Sequence, residues 1–230
     1  ALIEETRRQI GGGADWVKVY ADYRWGPNGE ARPTFSVDEL KLIVETAASS
    51  GRRTVAHAAT DEGVRRAVLA GVSTIEHGDG ASADTLRLMA KKGVALCPTL
   101  AAVEATSRYA GWNGEAASAP ARVKAKRDQI ARMKKSGVII CNGSDVGVFD
   151  HGEDAWEIEL LVDYGLAPVE ALKSATSVNA KIIDMSDKIG RIAPGMIADL
   201  AAFEGDPSKD ISALRRTRFV MQAGEIKRRE

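Results

Sequence analysis

The chain has 230 residues, 44% of them hydrophobic, and 32 lysine and arginine residues balance 32 aspartate and glutamate residues. A chain without net charge offers no long-range field for nucleic acid or an anionic membrane, and no apolar run reaches the roughly 18 residues that cross a bilayer. We therefore expect a soluble globular protein that acts on a small molecule, with no nucleic-acid or membrane partner. A cytoplasmic location is favoured, although composition leaves the compartment open.

Short apolar runs alternate with amphipathic stretches from residue 14 onward. This is the pattern of repeated βα units around a parallel sheet, so the expected fold class is α/β. The runs predicted as strands are Trp16–Tyr20, 54–57, Thr74–His77, 94–98 and 138–142. Between them, Ser36 and Glu39 predict a capping box, and Asp61 with Glu62 suits the start of another helix.

The last part of the chain has a different texture. Residues 168–184 are predicted to be helical, whereas 198–204, 218–222 and 225–228 are strand-like, the last two joined at Ala223-Gly224. We expect a βα domain over residues 1–188 and a small β appendage over 189–230.

Three other features have structural interpretations. Residues 111–120 predict a loop or lid, and the lysine and arginine residues of 121–136 predict a solvated helix face. The chain has two cysteines, Cys97 and Cys141, each in an apolar strand-like run. Buried free thiols are expected there in preference to a disulfide.

The chain has three histidines, and two of them end predicted strands. His57 and His77 close consecutive runs, and the carboxyl ends of parallel barrel strands line the active-site face. Either imidazole alone could be an ordinary core residue. Their equivalent placement on consecutive strands favours a shared role as ligands.

Two further polar residues occupy informative places. Asp145 follows the 138–142 run; it could cap a helix, but no regular helix is predicted to start at Val146. Lys18 lies in the middle of an apolar strand, where an unpaired buried charge is costly. An exposed strand face, a carboxylate partner or carbamylation by carbon dioxide could each resolve that cost.

A strand lysine, two strand-end histidines and a strand-end aspartate, in this order, resemble the amidohydrolase superfamily of binuclear metal hydrolases. Residues 35–40 and 70–72 resemble its imidazolonepropionase-like and Xaa-Pro dipeptidase-like branch. The resemblance extends to the end of the chain through Ala175-Thr176, Asn179-Ala180, residues 189–192, residues 194–200 and Gly205-Asp206-Pro207.

The resemblance implies a distorted (β/α)8 TIM-type barrel with a small β-sandwich domain built from both chain ends. This chain would hold barrel strands four to eight and the C-terminal half of the β domain. Lys18, carboxylated, would bridge two divalent ions, with zinc the leading candidate. His57 and His77 would bind the more exposed ion, and Asp145 would bind the other and act as general base.

The implied activity is hydrolysis of amide-type C–N bonds in dipeptides or N-acyl amino acids through a metal-bridging hydroxide. Tyr20, Tyr23 and Arg24 could hold a substrate carboxylate, although packing of Tyr23 against Trp25 is an equal alternative. His151 could face the substrate, cap a helix or pack within its loop.

One departure from the family pattern matters. The family's His-x-His pair on the first barrel strand is absent, and a complete barrel needs about 250 residues. Exposed parallel strand edges favour association, so we expect a complementing N-terminal chain or a homo-oligomer. The alternatives are a non-catalytic barrel fragment or scaffold subunit and, within the family, a cyclic-amide hydrolase or deaminase.

Overall fold

A five-stranded parallel sheet is the centre of the computed structural model, which describes residues 1–229. Its strands follow one another in chain order, so each neighbouring pair is joined by a crossover. Across the sheet they are β1 (Trp16–Tyr20), β4 (Arg53–Ala58), β5 (Thr74–His77), β6 (Ala95–Cys97) and β7 (Ile139–Ile140). All five predicted strands are confirmed, and within the described residues β1 and β7 form the edges of a sheet that does not close into a barrel.

The chain divides into two compact units, residues 1–98 with 131–140 and residues 99–130 with 141 onward. The first unit contains the parallel sheet and a short antiparallel pair, β2 (Asp22–Tyr23) and β3 (Arg32–Pro33). Its helices are α1 (Leu2–Gly11), α2 (Val37–Ser49), α3 (Asp61–Ala70) and α4 (Ala83–Lys92).

Helix ends in the first unit follow the local chemistry of the sequence. The predicted capping box is present: Ser36 Oγ accepts from the Glu39 N–H at 3.2 Å, and Glu39 Oε2 accepts from the Ser36 N–H at 2.8 Å. Helix α3 ends at Gly71 with φ of 97°, a left-handed backbone that glycine adopts without a Cβ penalty.

The two faces of the sheet differ in what covers them. Val17 and Val19 of β1 are buried, and β4 alternates in the same way, with its buried face packed against α2 and α3. Because side chains alternate along a strand, Lys18 and Tyr20 lie on the opposite face, together with His57. This second face, named the open face below, carries the candidate site.

In the described residues, the second unit contains five α-helices and an antiparallel sheet. The helices are α5 (Leu100–Tyr109), α6 (Ala121–Ser136), α7 (Ala155–Asp163), α8 (Pro168–Lys173) and α9 (Asn179–Ile182). Helix α6 also reaches into the first unit by its last residues. A π-helical turn, Ser174–Val178, interrupts the predicted 168–184 helix, where the Ser174 and Thr176 hydroxyls bond back to the carbonyls of Ala171 and Leu172.

The three strands predicted near the end of the chain are confirmed, and they form an antiparallel sheet. Its strands are β8 (Leu200–Phe203), β9 (Thr217–Gln222) and β10 (Glu225–Arg229), with β9 in the centre. Ala223 and Gly224 both have positive φ, 50° and 83°, as a two-residue type I′ hairpin requires. The proposed domain boundary at residue 188 stays a prediction.

The expectation of free cysteines is wrong. Cys97 and Cys141 are buried as expected, but each is disulfide-bonded. Strand register explains this: Leu96 lies opposite Ile140, so one further step along the two parallel strands reaches a cysteine on each. Neighbouring strands lie about 4.8 Å apart, within the span of a disulfide.

Among residues 1–229, none of the helices combines the length and the apolar character needed to cross a bilayer.

The capping box gives a test of the first unit. Ser36→Ala removes the acceptor for the Glu39 N–H and should lower the free energy of unfolding by about 1 kcal/mol. Ser50→Ala, at the other end of the same helix where no side-chain cap is made, is the control and should stay within about 0.5 kcal/mol. Urea unfolding measures both, and equal effects would contradict a stabilising cap.

Candidate functional site

Lys18 projects from the middle of β1 onto the open face and is exposed. Its Nζ lies 5.8 Å from the ring centroid of Tyr20, two residues further along the same face. Because this strand face is exposed, the Lys18 ammonium is not buried, and the cost of a buried charge in an apolar strand does not arise. The same exposure makes the amine accessible to carbon dioxide.

His57 faces the same side from the neighbouring strand. The parallel register sets Tyr20 opposite His57, and their rings stack with centroids 4.5 Å apart and an interplanar angle of 28°. The imidazole is 21% exposed. An aromatic neighbour on one side and the sheet beneath hold the ring in one orientation.

His77 is the last residue of β5, where Ala58 of β4 is its register partner. Its φ is 76°, uncommon for a residue with a side chain, and Gly78 continues the turn with φ of 58°. The ring lies edge-on to His57 with centroids 4.5 Å apart. Strained backbone that brings two imidazoles together is typical of a functional site.

Two of the predicted substrate residues, Tyr20 and Tyr23, lie close to His57. Tyr23 is edge-on to Tyr20 at 5.5 Å and 6.4 Å from the His57 ring. It also contacts Trp25 at 5.6 Å, so the packing alternative holds as well. Arg24 is exposed in the segment that follows β2.

Asp145 and His151 belong to the second unit. Asp145 is exposed after β7, and its φ of 58° turns the backbone so that its carbonyl accepts from the Val148 N–H at 3.3 Å. His151 is exposed in a turn before α7. Neither residue starts a helix, so Asp145 is not a helix cap.

Sequence reasoning missed Asp22. This aspartate is the first residue of β2, two residues after the end of β1. It is fully buried at 0% exposure, and its Oδ1 lies 4.0 Å from His57 Nε2. The signal was available, because Asp22 follows a strand end just as Asp145 does. A single carboxylate beside a tyrosine, however, does not reveal in sequence which backbone it will bind.

Glu157 is a second missed carboxylate, on α7. It is fully buried and accepts from the N–H groups of Leu100 at 3.0 Å and Ala101 at 2.7 Å, at the start of α5. Burial raises the pKa of Glu157 to about 7; the two N–H donors and Lys126 lower it, and Asp145 adds a smaller increase. Lys126 is 2% exposed, so the prediction of a wholly solvated α6 face is wrong at this residue.

The donor types on the open face fit a divalent cation such as zinc, which binds imidazole nitrogen and carboxylate oxygen. Two imidazoles in contact at the ends of adjacent strands can supply two ligands to one ion. Within the described part of the chain, however, no group of three or more histidine, cysteine, aspartate or glutamate residues is arranged to hold a metal. The ligand set present is therefore partial.

Polar side chains gather where parallel strands of this sheet end, and barrel enzymes carry their active sites at such strand ends. The model described as the amidohydrolase family matches residues 1–228. The chain belongs to the amidohydrolase family.

Individual relatives agree with this assignment. The chain is 31% identical over 236 residues to an uncharacterized protein of Mycobacterium bovis, covering 97% of this chain and 60% of that protein. It is 31% identical over 234 residues to ochratoxinase of Aspergillus niger, covering 95% and 47%. A crystal structure of a Xaa-Pro dipeptidase with methionine in its active site matches with a TM-score of 0.87 and 30% identity, covering 99% of this chain and 58% of that one.

The chain spans about 60% of the length of the first of these curated relatives. The chain fits the C-terminal portion of a longer homologue, which agrees with the expectation that it holds the later strands of a barrel.

The buried carboxylate on α7 predicts a pH-dependent stability for the metal-free protein. The folded-state pKa of Glu157, about 7, lies above its unfolded value of 4.5, so the folded state binds the extra proton and stability falls as pH rises from 4.5 to 7. Glu157→Gln removes this titration. Relative to the variant, the wild type should lose up to ~3 kcal/mol of unfolding free energy across that window.

Chemical unfolding at several pH values measures this difference. Glu4→Gln, a change at an exposed carboxylate on α1, is the control and should stay within about 0.5 kcal/mol of the wild type throughout. A constant difference between wild type and Glu157→Gln from pH 4.5 to 7 would show that Glu157 does not titrate there.

Proposed function

We propose that this chain supplies part of the active site of a metal-dependent hydrolase of amide-type C–N bonds, with dipeptides or N-acyl amino acids as substrates. The observation that carries the proposal is the contact between the His57 and His77 rings, 4.5 Å apart at the ends of adjacent strands of an amidohydrolase-family chain. The likeness to a Xaa-Pro dipeptidase and to ochratoxinase supports the substrate class.

In this proposal His57 and His77 would hold one divalent cation, Asp145 would hold a second, and Lys18, carboxylated on Nζ, would supply oxygen ligands. The exposure of Lys18, on the same face as His57, supports its carboxylation. Bound ions would supply a nucleophilic water near neutral pH and polarise the scissile carbonyl.

The proton transfer falls to Asp145. Its carboxylate takes a proton from the attacking water and delivers it to the amine nitrogen as the C–N bond breaks. Arg24 can hold a substrate carboxylate through two parallel N–H donors. Tyr20, Tyr23 and His151 complete the proposed substrate contacts.

The partial ligand set leads to a proposal about assembly. β1 is an edge strand in the described residues, and a groove of about 530 Å³ runs beside it, lined by residues of α1, by all of β1 and by Phe35 and Ile43. We propose that a complementing N-terminal segment, from the same or another chain, pairs with β1 and brings a His-x-His pair. Residues 189–230 would form the matching half of a composite β domain.

The test measures zinc content and hydrolysis of a dipeptide ending in proline and of an N-acyl amino acid. The assay uses this chain together with the complementing segment of a longer family member. Lys18→Met should lower kcat/KM by at least about 100-fold and reduce bound zinc, because a bridging ligand is lost. Lys41→Met, at a lysine paired with Asp38 on α2, is the matched control and should keep both.

Two results would contradict the proposal. Zinc binding without hydrolysis of either substrate would favour a cyclic-amide hydrolase or deaminase. Neither zinc nor hydrolysis in the assembled protein would leave a non-catalytic scaffold.

A further inference from the structure

Asp22 is a buried carboxylate, and both of its oxygens accept hydrogen bonds. Oδ1 accepts from the Ala59 N–H at 2.9 Å, and Oδ2 accepts from the Thr60 N–H and the Thr60 hydroxyl, both at 2.7 Å. These donors lie in the turn directly after β4, the strand that carries His57. Asp22 therefore fixes the turn that ends this strand.

The space around Asp22 is shaped for the carboxylate. Thr60 Oγ1, while donating to Asp22, accepts from the Gly63 N–H at 3.0 Å and so caps α3. A Cβ on Gly63 would lie 2.1 Å from Asp22 Oδ2. Glycine at this position leaves room for an anion beside the start of a helix, where negative charge is favoured.

The same carboxylate faces the imidazole. Its Oδ1 lies 4.0 Å from His57 Nε2, too far for a hydrogen bond but close enough for charge to act in a buried setting. An ionised carboxylate only accepts. It therefore favours the proton on the ring nitrogen that faces it, and the other nitrogen keeps its lone pair.

We propose that Asp22 is a positioning residue that keeps Nε2 of His57 protonated and so presents Nδ1 as the ligand for a divalent cation. This inference rests on the proposed function for the identity of the cation. It assigns to Asp22 the carboxylate–histidine–metal relation by which an outer carboxylate fixes the tautomer and orientation of a ligand.

The first experiment reads the tautomer without metal or substrate. Nitrogen-15 NMR of the histidine side chains in the metal-free chain, at a pH where the imidazoles are neutral, should show His57 with Nε2 protonated. Assignment uses His57→Gln. In Asp22→Asn this preference should be lost, because an amide can donate to Nε2 and lacks the negative charge.

Asp61→Asn is the matched control. Asp61 Oδ1 accepts from the Ser82 N–H at 2.8 Å, a backbone clamp of the same kind on the next βα turn. Its variant should keep the wild-type tautomer. A wild-type His57 protonated on Nδ1, or one tautomer shared by wild type and Asp22→Asn, would overturn the inference, and the wild-type spectrum alone decides if Asp22→Asn does not fold.

A second readout is the zinc affinity of the chain assembled with the complementing segment, measured by competition with a chelator. Asp22→Asn should bind zinc about 10- to 100-fold more weakly than the wild type, whereas Asp61→Asn should not change the affinity. Unchanged affinity in Asp22→Asn overturns the positioning role. Absence of zinc binding in every protein, with the tautomer as expected, contradicts the proposed function and still supports the effect of Asp22 on His57.

Discussion

The parallel register of β1, β4 and β5 determines which side chains can meet at the carboxyl end of the sheet. Tyr20 lies opposite His57, and Ala58 lies opposite His77. Since successive side chains alternate between faces, a shift of β4 by one residue against β1 would move His57 away from the face that carries Tyr20. The stacked Tyr20 ring and the contact between the imidazoles thus depend on backbone pairing between apolar strands.

Two carboxylates, one in each unit, are buried beside the start of a helix. Asp22 accepts from the turn before α3, and Glu157 accepts from the first N–H groups of α5. Those N–H groups have no partners within their helices, so each carboxylate satisfies donors that would otherwise be buried without partners. Burial of Glu157 raises its pKa to about 7.

The sequence predicted the strands better than it predicted their surroundings. Apolar runs bounded by turn residues placed all five strands, and the positions of His57 and His77 at two strand ends favoured a shared role for two rings that the structure brings into contact. The partners of individual side chains were harder to predict, because the sequence of one strand does not determine its register with the next strand. For this reason the disulfide state of Cys97 and Cys141, the backbone partners of Asp22 and the burial of Lys126 became evident only in three dimensions.

The open edge and the partial ligand set are two aspects of one constraint. An unpaired parallel edge has free N–H and C=O groups that another strand can satisfy, and in the described residues β1 is such an edge. A strand added there would alternate its side chains as β1 does, so half of them would project onto the face that carries Lys18 and His57. Pairing at this edge would therefore add side chains to that face, and in the proposed assembly the same N-terminal segment carries the His-x-His pair on another of its strands.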